Sequence, residues 1–471
     1  MMGIQPLELL SPTDLEKIHN ATMDILQSTG IRFPHPEALE IFQKSGFKVD
    51  GQLVFFQENQ VMESINDIPA TFTIQARNPD RNVTIGDGTP VFAPGYGAPF
   101  LIEPEVGKRI PTIQDYRNLV KLAHMLPNQD MSGHLLVEPQ DIPMETASLQ
   151  MVAAHITLSD KTFIGSSDGK IGAQHTMDLL EILFGDPTKG HFTCGLINPL
   201  SPLSYSRDMV DALMIYARSN QPLVIASLIM AGSTGPITLA GVLAQQNAEL
   251  LSGIVLSQLI NPGNPVLYGS TSTNIDMKTG GLAIGSPELS LCIAAHGQLA
   301  RKYGLASRGG GALTDSSTVD AQAGYESMFS LYTTLSSGID FVLHSAGIIS
   351  SYLAFSYEKF VMDDELCGML KHFHKGLEVS PETLAVDVIK NVKQDGHYLG
   401  ESHTIDRCRS EFWLPDLGDR SGLEAWWGGD REDTAARSRQ RWERLLDDYQ
   451  EPFLDQKEKK QIQEYLEKEL N

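Results

Sequence analysis

Positive charge is scarce in this sequence. Lys and Arg number 36 against 59 Asp and Glu over 471 residues, a formal net charge of −23, and no dense Lys/Arg block occurs. Nucleic-acid binding depends on basic surface that displaces counterions, so no nucleic-acid partner is expected. The acidity favours solubility and, weakly, a cationic ligand. Cysteine is scarce too. Cys194, Cys292, Cys367 and Cys408 are too few and too scattered for a disulfide framework or a zinc site, and read as reduced packing residues. No stretch reaches the ~18–20 uninterrupted apolar residues of a membrane span. Met1 to Asp24 lacks the basic head and apolar run of a signal peptide. A cytoplasmic chain without membrane association is the expectation. No Gly-x-Gly-x-x-Gly follows the first strand, which disfavours a doubly wound dinucleotide fold. No His-x-x-x-His or Cys-x-x-Cys pair suggests a metal. No Lys stands at a strand end for Schiff-base chemistry: Lys161 precedes its strand and Lys302 lies in a helix.

Pattern is what the sequence does have. Hydrophobic residues make up 41% and charged residues 20%, as in a globular chain with a large core. Ser11-Pro12-Thr13-Asp14 opens a helix with Leu15, Ile18, Ala21 and Ile25 at helical spacing, ending at Gly30. A second helix is predicted over Ala38–Gly46. Strands follow at Leu53–Phe56, Ala70–Ile74 and Val83–Ile85. Residues 1–130 are therefore assigned to an α+β extension.

From Gly133 a repeat sets in. Apolar runs at His134–Val137, Thr162–Ile164, Phe192–Ile197, Leu223–Met230, Val266–Tyr268, Leu305–Ser307 and Phe341–Leu343 alternate with amphipathic segments. The spacing, roughly 30 to 40 residues, is that of a βα unit. An eighth strand is predicted at Lys359–Asp363, leading into a helix over Leu366–Lys371. The fold class is thus α/β, a (β/α)8 TIM barrel over 131–376. Residues 377–471 read as a helical appendage, with Trp426-Trp427 in a loop that caps a core or meets a partner.

In such a barrel the working residues lie where strands end. The exits are rich in Gly, Ser, Thr and Asn, which leave room for a ligand but supply little acid–base power. The reactive agent is therefore expected to come from outside the chain. Glu138, Asp168 and Asn198 stand at three of these exits, and Asp363-Asp364-Glu365 at the predicted eighth. His344, leaving the apolar strand Phe341-Val342-Leu343, is either a satisfied structural histidine or a ligand contact. Arg308, directly before Gly309-Gly310-Gly311, is either an internal ion-pair member or a free donor.

Three blocks carry a resemblance: Gly95-Tyr96-Gly97-Ala98 with Gly107–Tyr116; Gly309-Gly310-Gly311-Ala312-Leu313-Thr314-Asp315 with Asp320–Glu326; and Gly396-His397-Tyr398-Leu399-Gly400 with His403-Thr404. Together they resemble the trimethylamine methyltransferase superfamily. Its founding members carry pyrrolysine in the barrel cavity, whereas this sequence has only standard residues. That points to the branch whose members demethylate quaternary amines such as glycine betaine, proline betaine, carnitine and γ-butyrobetaine.

The resemblance implies a quaternary amine:corrinoid protein methyltransferase. The corrinoid (cobalamin) would be presented by a small partner protein and not held tightly by this chain; no metal site of its own and no acid or base catalyst is implied. A homo-oligomer is compatible with it. A quaternary ammonium wants aromatic faces, and Tyr96, Tyr205, Tyr268, Phe355 and Tyr357 are the candidates. A betaine carboxylate wants donors, for which His344, Asn198 and Arg308 are best placed. Ser166, Gly232, Ser270, Gly309, Gly310 and Gly311 would form the rim facing the corrinoid. Two alternatives remain open: another barrel lyase or mutase, and a non-catalytic betaine-binding protein.

Overall fold

Short strands dominate because each apolar run is soon stopped by Pro, Gly or a polar residue; Val91–Ala93, for instance, sits between Pro90 and Pro94. The computed structural model describes residues 5–470. Seven strands form one curved parallel sheet, in the order Val91–Ala93, Phe341–Leu343, Ala306–Gly309, Val266–Ser270, Leu223–Ser227, Cys194–Ile197, Ile164–Gly165. Leu223 to Ser227 pairs residue for residue with Val266 to Ser270. Helices lie between successive strands, as parallel crossovers require.

The chain before Ile164 touches both edges of this sheet. The amides of Asp130 and Met131 donate to the Phe92 carbonyl at 2.9 and 3.1 Å, and Ser132 N–H donates to the Thr162 carbonyl at 2.9 Å. Met131 also bridges Thr162 in parallel. His134–Val137, expected as a strand, contributes only an isolated bridge from Val137 to Ala98.

Three expectations are corrected. Lys359–Asp363 is no strand but part of the Tyr357–His374 helix. Ser356 caps that helix, and Lys359 and Asp363, one turn apart, form a fully buried ion pair at 2.5 Å. The strand Val91–Ala93, from the segment assigned to the extension, pairs instead with Phe341–Leu343. Trp426 and Trp427 lie in a short helix, Leu423–Gly428, not a loop.

Alternation sorts the strand residues between two cores. Cys194, Leu196, Val224, Ala226, Leu267, Ala306, Phe341 and Leu343 face the concave interior. Phe72, Ile74, Val83 and Ile85, from the antiparallel hairpin Phe72–Ile74 and Val83–Ile85, pack into the same cluster and close its floor. Ile197, Ile225, Val266 and Tyr268 face the helices. The Leu239–Ile260 helix is long and apolar enough to cross a membrane by length and composition, yet 83% of that stretch is buried within the protein.

At the C-terminal end, Thr434–Asp447 packs on Tyr357–His374, where Trp442 stacks on Tyr357 at 4.8 Å. Gln456–Leu470 packs on Met144–Leu158 and Gly169–Phe184. The intervening helices Pro381–Leu384, Val386–Val392, Ser402–Arg407 and Leu423–Gly428 contain no buried residue.

Candidate functional site

A cavity of about 750 Å³ opens at the C-terminal ends of the strands, within the range of small-molecule sites. Tyr96 enters it just after Val91–Ala93, Ser166, Ser167 and Asp168 after Ile164–Gly165, and Asn198 after Cys194–Ile197. His134 and Glu138 come from the segment between the sheet edges. Ser206, whose hydroxyl caps the Arg207–Arg218 helix, and Asp208 in that helix's first turn complete the polar wall. Met144, Met151 and Met209 supply polarizable apolar surface.

The wall is negative. Glu138, Asp168 and Asp208 are exposed, and none pairs with a Lys or Arg among the described residues. Although its side chain reaches solvent, partial desolvation at the cavity wall pushes the Glu138 carboxyl up from its ordinary range. The Tyr96 phenol is pushed up by burial and then by the charges of Asp168 and Glu138, so these carboxylates lie close to its ring. His134 is held neutral, its imidazole lowered to about 3 by burial and then by His155. The His134 Nδ1 and Ser167 Oγ atoms are both buried without a hydrogen-bond partner.

Positive charge stands one layer behind. Arg308 shares the inward face of its strand with Ala306 and is 3% exposed. Its Nε has no hydrogen-bond partner, and no carboxylate among the described residues pairs with it. Burial lowers the guanidinium to about 10. A buried cation without a counter-ion is costly and is relieved by a bound anion. His344 and Tyr352 flank it. His344 has φ +63°, and its Nδ1 accepts the Tyr96 N–H at 3.2 Å, which puts the ring proton on Nε2. Burial, and after it the Arg308 charge, drives the His344 imidazole far below its usual range. The Tyr352 ring lies 4.7 Å from that of His344. Its hydroxyl is buried near Thr271 yet completes no hydrogen bond. Ser350, Ser351 and Tyr352 all have positive φ, a strained run of the kind found at functional sites.

The candidates from sequence separate accordingly. Tyr96, Asn198 and Ser166 line the cavity. Arg308 and His344 come together behind Tyr96. Four aromatics do not reach the cavity. Tyr205 stacks on Phe33 at 4.9 Å and donates to the Glu249 carbonyl at 2.8 Å. Tyr268 stacks on His296 at 4.5 Å and donates to Asn247 Oδ1 at 2.9 Å. Phe355 packs against Phe360, and the Tyr357 hydroxyl donates to Asp115 Oδ1 at 3.1 Å. Tyr268 faces the helices from its strand, Tyr205 lies in the loop before the Arg207–Arg218 helix, Tyr357 opens the Tyr357–His374 helix, and Phe355 belongs to a separate small sheet, so all four rings are taken up by packing. Ser270 donates to Gln246, and Gly309, Gly310 and Gly311 are buried; Gly232 is exposed at a turn. A Cβ on Gly311 would sit 2.5 Å from the His344 carbonyl oxygen, so this glycine serves close backbone packing. Glu138 and Asp168 were legible as strand exits. Asp208 and Tyr352 carry no such local signal.

Gly165-Ser166-Ser167-Asp168-Gly169 has the Gly-x-Ser-x-Gly form of a nucleophile elbow, but no imidazole hydrogen bonds to Ser167 to activate it. Asp395-Gly396-His397-Tyr398-Leu399-Gly400 has the Asp-x-His-x-x-Gly spacing of a cobalamin anchor. Every residue from Lys393 to Gly400 is exposed, so the segment forms no pocket for a macrocycle. The residues present do not fit a resident corrinoid.

The sequence profile of the trimethylamine methyltransferase (MTTB) family matches residues 1–471. The chain is 47% identical to the glycine betaine methyltransferase of Desulfitobacterium hafniense (strain Y51) over 97% of this chain and 96% of that one. It is 34% identical to the proline betaine:corrinoid methyltransferase of Eubacterium limosum, over 87% of each chain. The crystal structure of the monomethylamine methyltransferase of Methanosarcina barkeri shares its fold, with a TM-score of 0.50 at 12% identity, covering 96% of this chain and 90% of that one.

Proposed function

This chain belongs to the trimethylamine methyltransferase (MTTB) family, and from that membership we propose that it moves a methyl group from a quaternary amine, glycine betaine foremost, to the Co(I) corrinoid of a separate small protein. The names of its relatives support this reading. One observation carries it: a cavity ringed by unpaired carboxylates around Tyr96 stands beside a buried, unpaired Arg308. A betaine is a quaternary ammonium and a carboxylate in one small molecule, and this arrangement is its electrostatic complement.

The chemistry asks little acid–base work of the chain. Cobalt supplies the electron pair of the new Co–C bond. The electrons of the N–C bond return to nitrogen, which leaves as a neutral tertiary amine. No proton moves. The protein's part is to orient the methyl carbon in line and to exclude water. Tyr96 offers its face to the ammonium, worth ~0.5–2 kcal/mol, while Glu138, Asp168 and Asp208 balance its charge. Arg308, with His344 Nε2–H and the Tyr352 hydroxyl, receives the carboxylate, and Asn198 bounds the methyl end. The acceptor corrinoid is a substrate here, delivered over the Ser166 and Gly232 side of the mouth.

We also propose that the curved sheet is a closed (β/α)8 barrel with 130–133 as its remaining strand; the hydrogen bonds of that segment to both edges support this. The same reading divides the chain into an N-terminal part, 1–130, that lends the barrel its Val91–Ala93 strand, the rest of the barrel in 131–376 and a C-terminal part, 377–471, and puts the protein in the cytoplasm, where a reduced corrinoid can be maintained.

The test is methylation of a Co(I) corrinoid, followed by its visible spectrum, with glycine betaine, proline betaine, carnitine, trimethylamine and dimethylglycine compared. The quaternary amines should react and the tertiary ones should not. Preference for trimethylamine would overturn the reading.

A further inference from the structure

The segment from Leu377 to Phe412 stands off the body of the protein. Its polar contacts stay within itself: Arg407 pairs with Glu382 at 2.7 Å and Glu411 at 3.2 Å, and Thr383 donates to the Glu378 carbonyl. None of its hydrogen bonds or ion pairs reaches the rest of the described chain. Nine large apolar side chains along it are exposed, among them Leu377 at 92%, Leu399 at 82% and Phe412 at 66%. Apolar surface on this scale marks an interaction site, since a monomer rarely leaves such a patch in water.

The same chain carries a second uncovered apolar surface. On the Ala321–Ser336 helix, Tyr325, Phe329 and Tyr332 recur at helical spacing and are exposed. The stripe continues through Phe373, whose ring lies 5.9 Å from that of Tyr332. The chain's own arm does not cover it. The arm departs near Lys371, whose ammonium is bonded to the Asn128 carbonyl and the Asp130 carboxylate, at the floor of the sheet and away from the cavity.

We propose that residues 377–412 form an exchanged arm that lies on the Tyr325–Phe329–Tyr332–Phe373 stripe of a second copy of this chain. One chain thus supplies both halves of the contact, and reciprocal exchange closes the assembly with neither surface left over. A stable interface needs on the order of 800 Å² from each partner, a size that nine side chains and an aromatic stripe can provide. The arm's root, at the end opposite the cavity, leaves the mouth free in the assembly.

The native chain contains the probe for a test, because Cys408 is the exposed cysteine and Cys194, Cys292 and Cys367 are buried. A photo-crosslinker placed on Cys408 of the full chain, in a reassociated mixture of isotopically heavy and light protein, should join heavy to light peptides from 321–336. Crosslinks confined to one isotope would overturn the proposal. Sedimentation velocity gives the second arm of the test. Wild type should be oligomeric at micromolar concentration. Leu399→Asp with Ile405→Asp, or Phe329→Asp with Tyr332→Asp, should dissociate it, and mixing the two double variants should restore an oligomer through the intact arm–stripe pair. A monomeric wild type, or an oligomer that survives both sets of substitutions, would also overturn it.

Discussion

Arg308 is placed where stability and binding pull in opposite directions. Its guanidinium is buried, lowered to about 10, and paired with no carboxylate among the described residues, so the folded chain bears a desolvation cost that a bound carboxylate offsets. Arg308→Met should raise KM for glycine betaine ten- to a hundredfold, in line with the roughly 1.5–3 kcal/mol of a charge-assisted hydrogen bond. The same substitution should raise the thermal midpoint of the unliganded protein. A lowered midpoint would show that Arg308 supports the fold instead. The cation end behaves differently. Glu138→Gln or Asp168→Asn should raise KM alike for betaines and for quaternary amines without a carboxylate, with kcat nearly unchanged. A large fall in kcat for Glu138→Gln would mean that this carboxyl, which partial desolvation pushes up, moves a proton in the reaction.

Among the elements, the Tyr357–His374 helix has the most consequential interior. Lys359 and Asp363 form an ion pair with no solvent contact, and Asp363 also accepts the Gly347 N–H at 2.9 Å, tying the helix to the loop that follows His344. Lys359→Met alone should destabilise the protein by about 3–5 kcal/mol, because a buried carboxylate loses its partner. Adding Asp363→Leu should recover much of that loss in chemical denaturation. If the double variant is no better than the single, the pair is not the determinant. This helix also shows where sequence reading failed. Its apolar residues do not alternate, and Ser356 provides a cap, but the need for an eighth strand drew Lys359–Asp363 into the sheet. The true neighbour of Phe341–Leu343 is Val91–Ala93, three residues bracketed by prolines, too short to register as a strand. The longer runs at Phe192–Ile197, Leu223–Met230 and Val266–Tyr268 were legible because fully buried parallel strands read as continuous apolar stretches. At the site, Tyr96 and Asn198 were legible from strand exits. Tyr205 and Tyr268 were misleading, because proximity to a strand end does not reveal which face a side chain takes.

At the scale of the whole molecule, several imidazoles are kept neutral by burial. His134 and His296 are lowered to about 3 and His155 to about 4, each first by desolvation, and His344 is lowered well below its usual range. The unfolded chain takes up these protons near pH 6.5 while the native chain does not. The stability they contribute is therefore fully present above about pH 6.5 and falls as pH drops, by up to about 5 kcal/mol per pH unit from the four together. Asp363, raised to about 6 by burial, acts in the opposite sense by one proton. The thermal midpoint should thus fall steeply between pH 6.5 and 5; a flat profile would mean that water reaches these rings. The exposed Asp-x-His-x-x-Gly segment gives a second check. Purified protein should be colourless, and His397→Ala should leave corrinoid methylation intact.

The hairpin Phe72–Ile74 and Val83–Ile85 makes the interior blind at one end. Whatever enters by the mouth must leave by it, and a corrinoid protein seated there stops that traffic. On the proposed chemistry, binding is therefore compulsory-order: amine first, acceptor second, then methylated acceptor out before the demethylated amine. The demethylated amine should compete with substrate amine for the free enzyme, and excess acceptor should inhibit by seating on the empty enzyme before the amine has entered. Steady-state turnover would then be governed by how quickly the acceptor protein lets go.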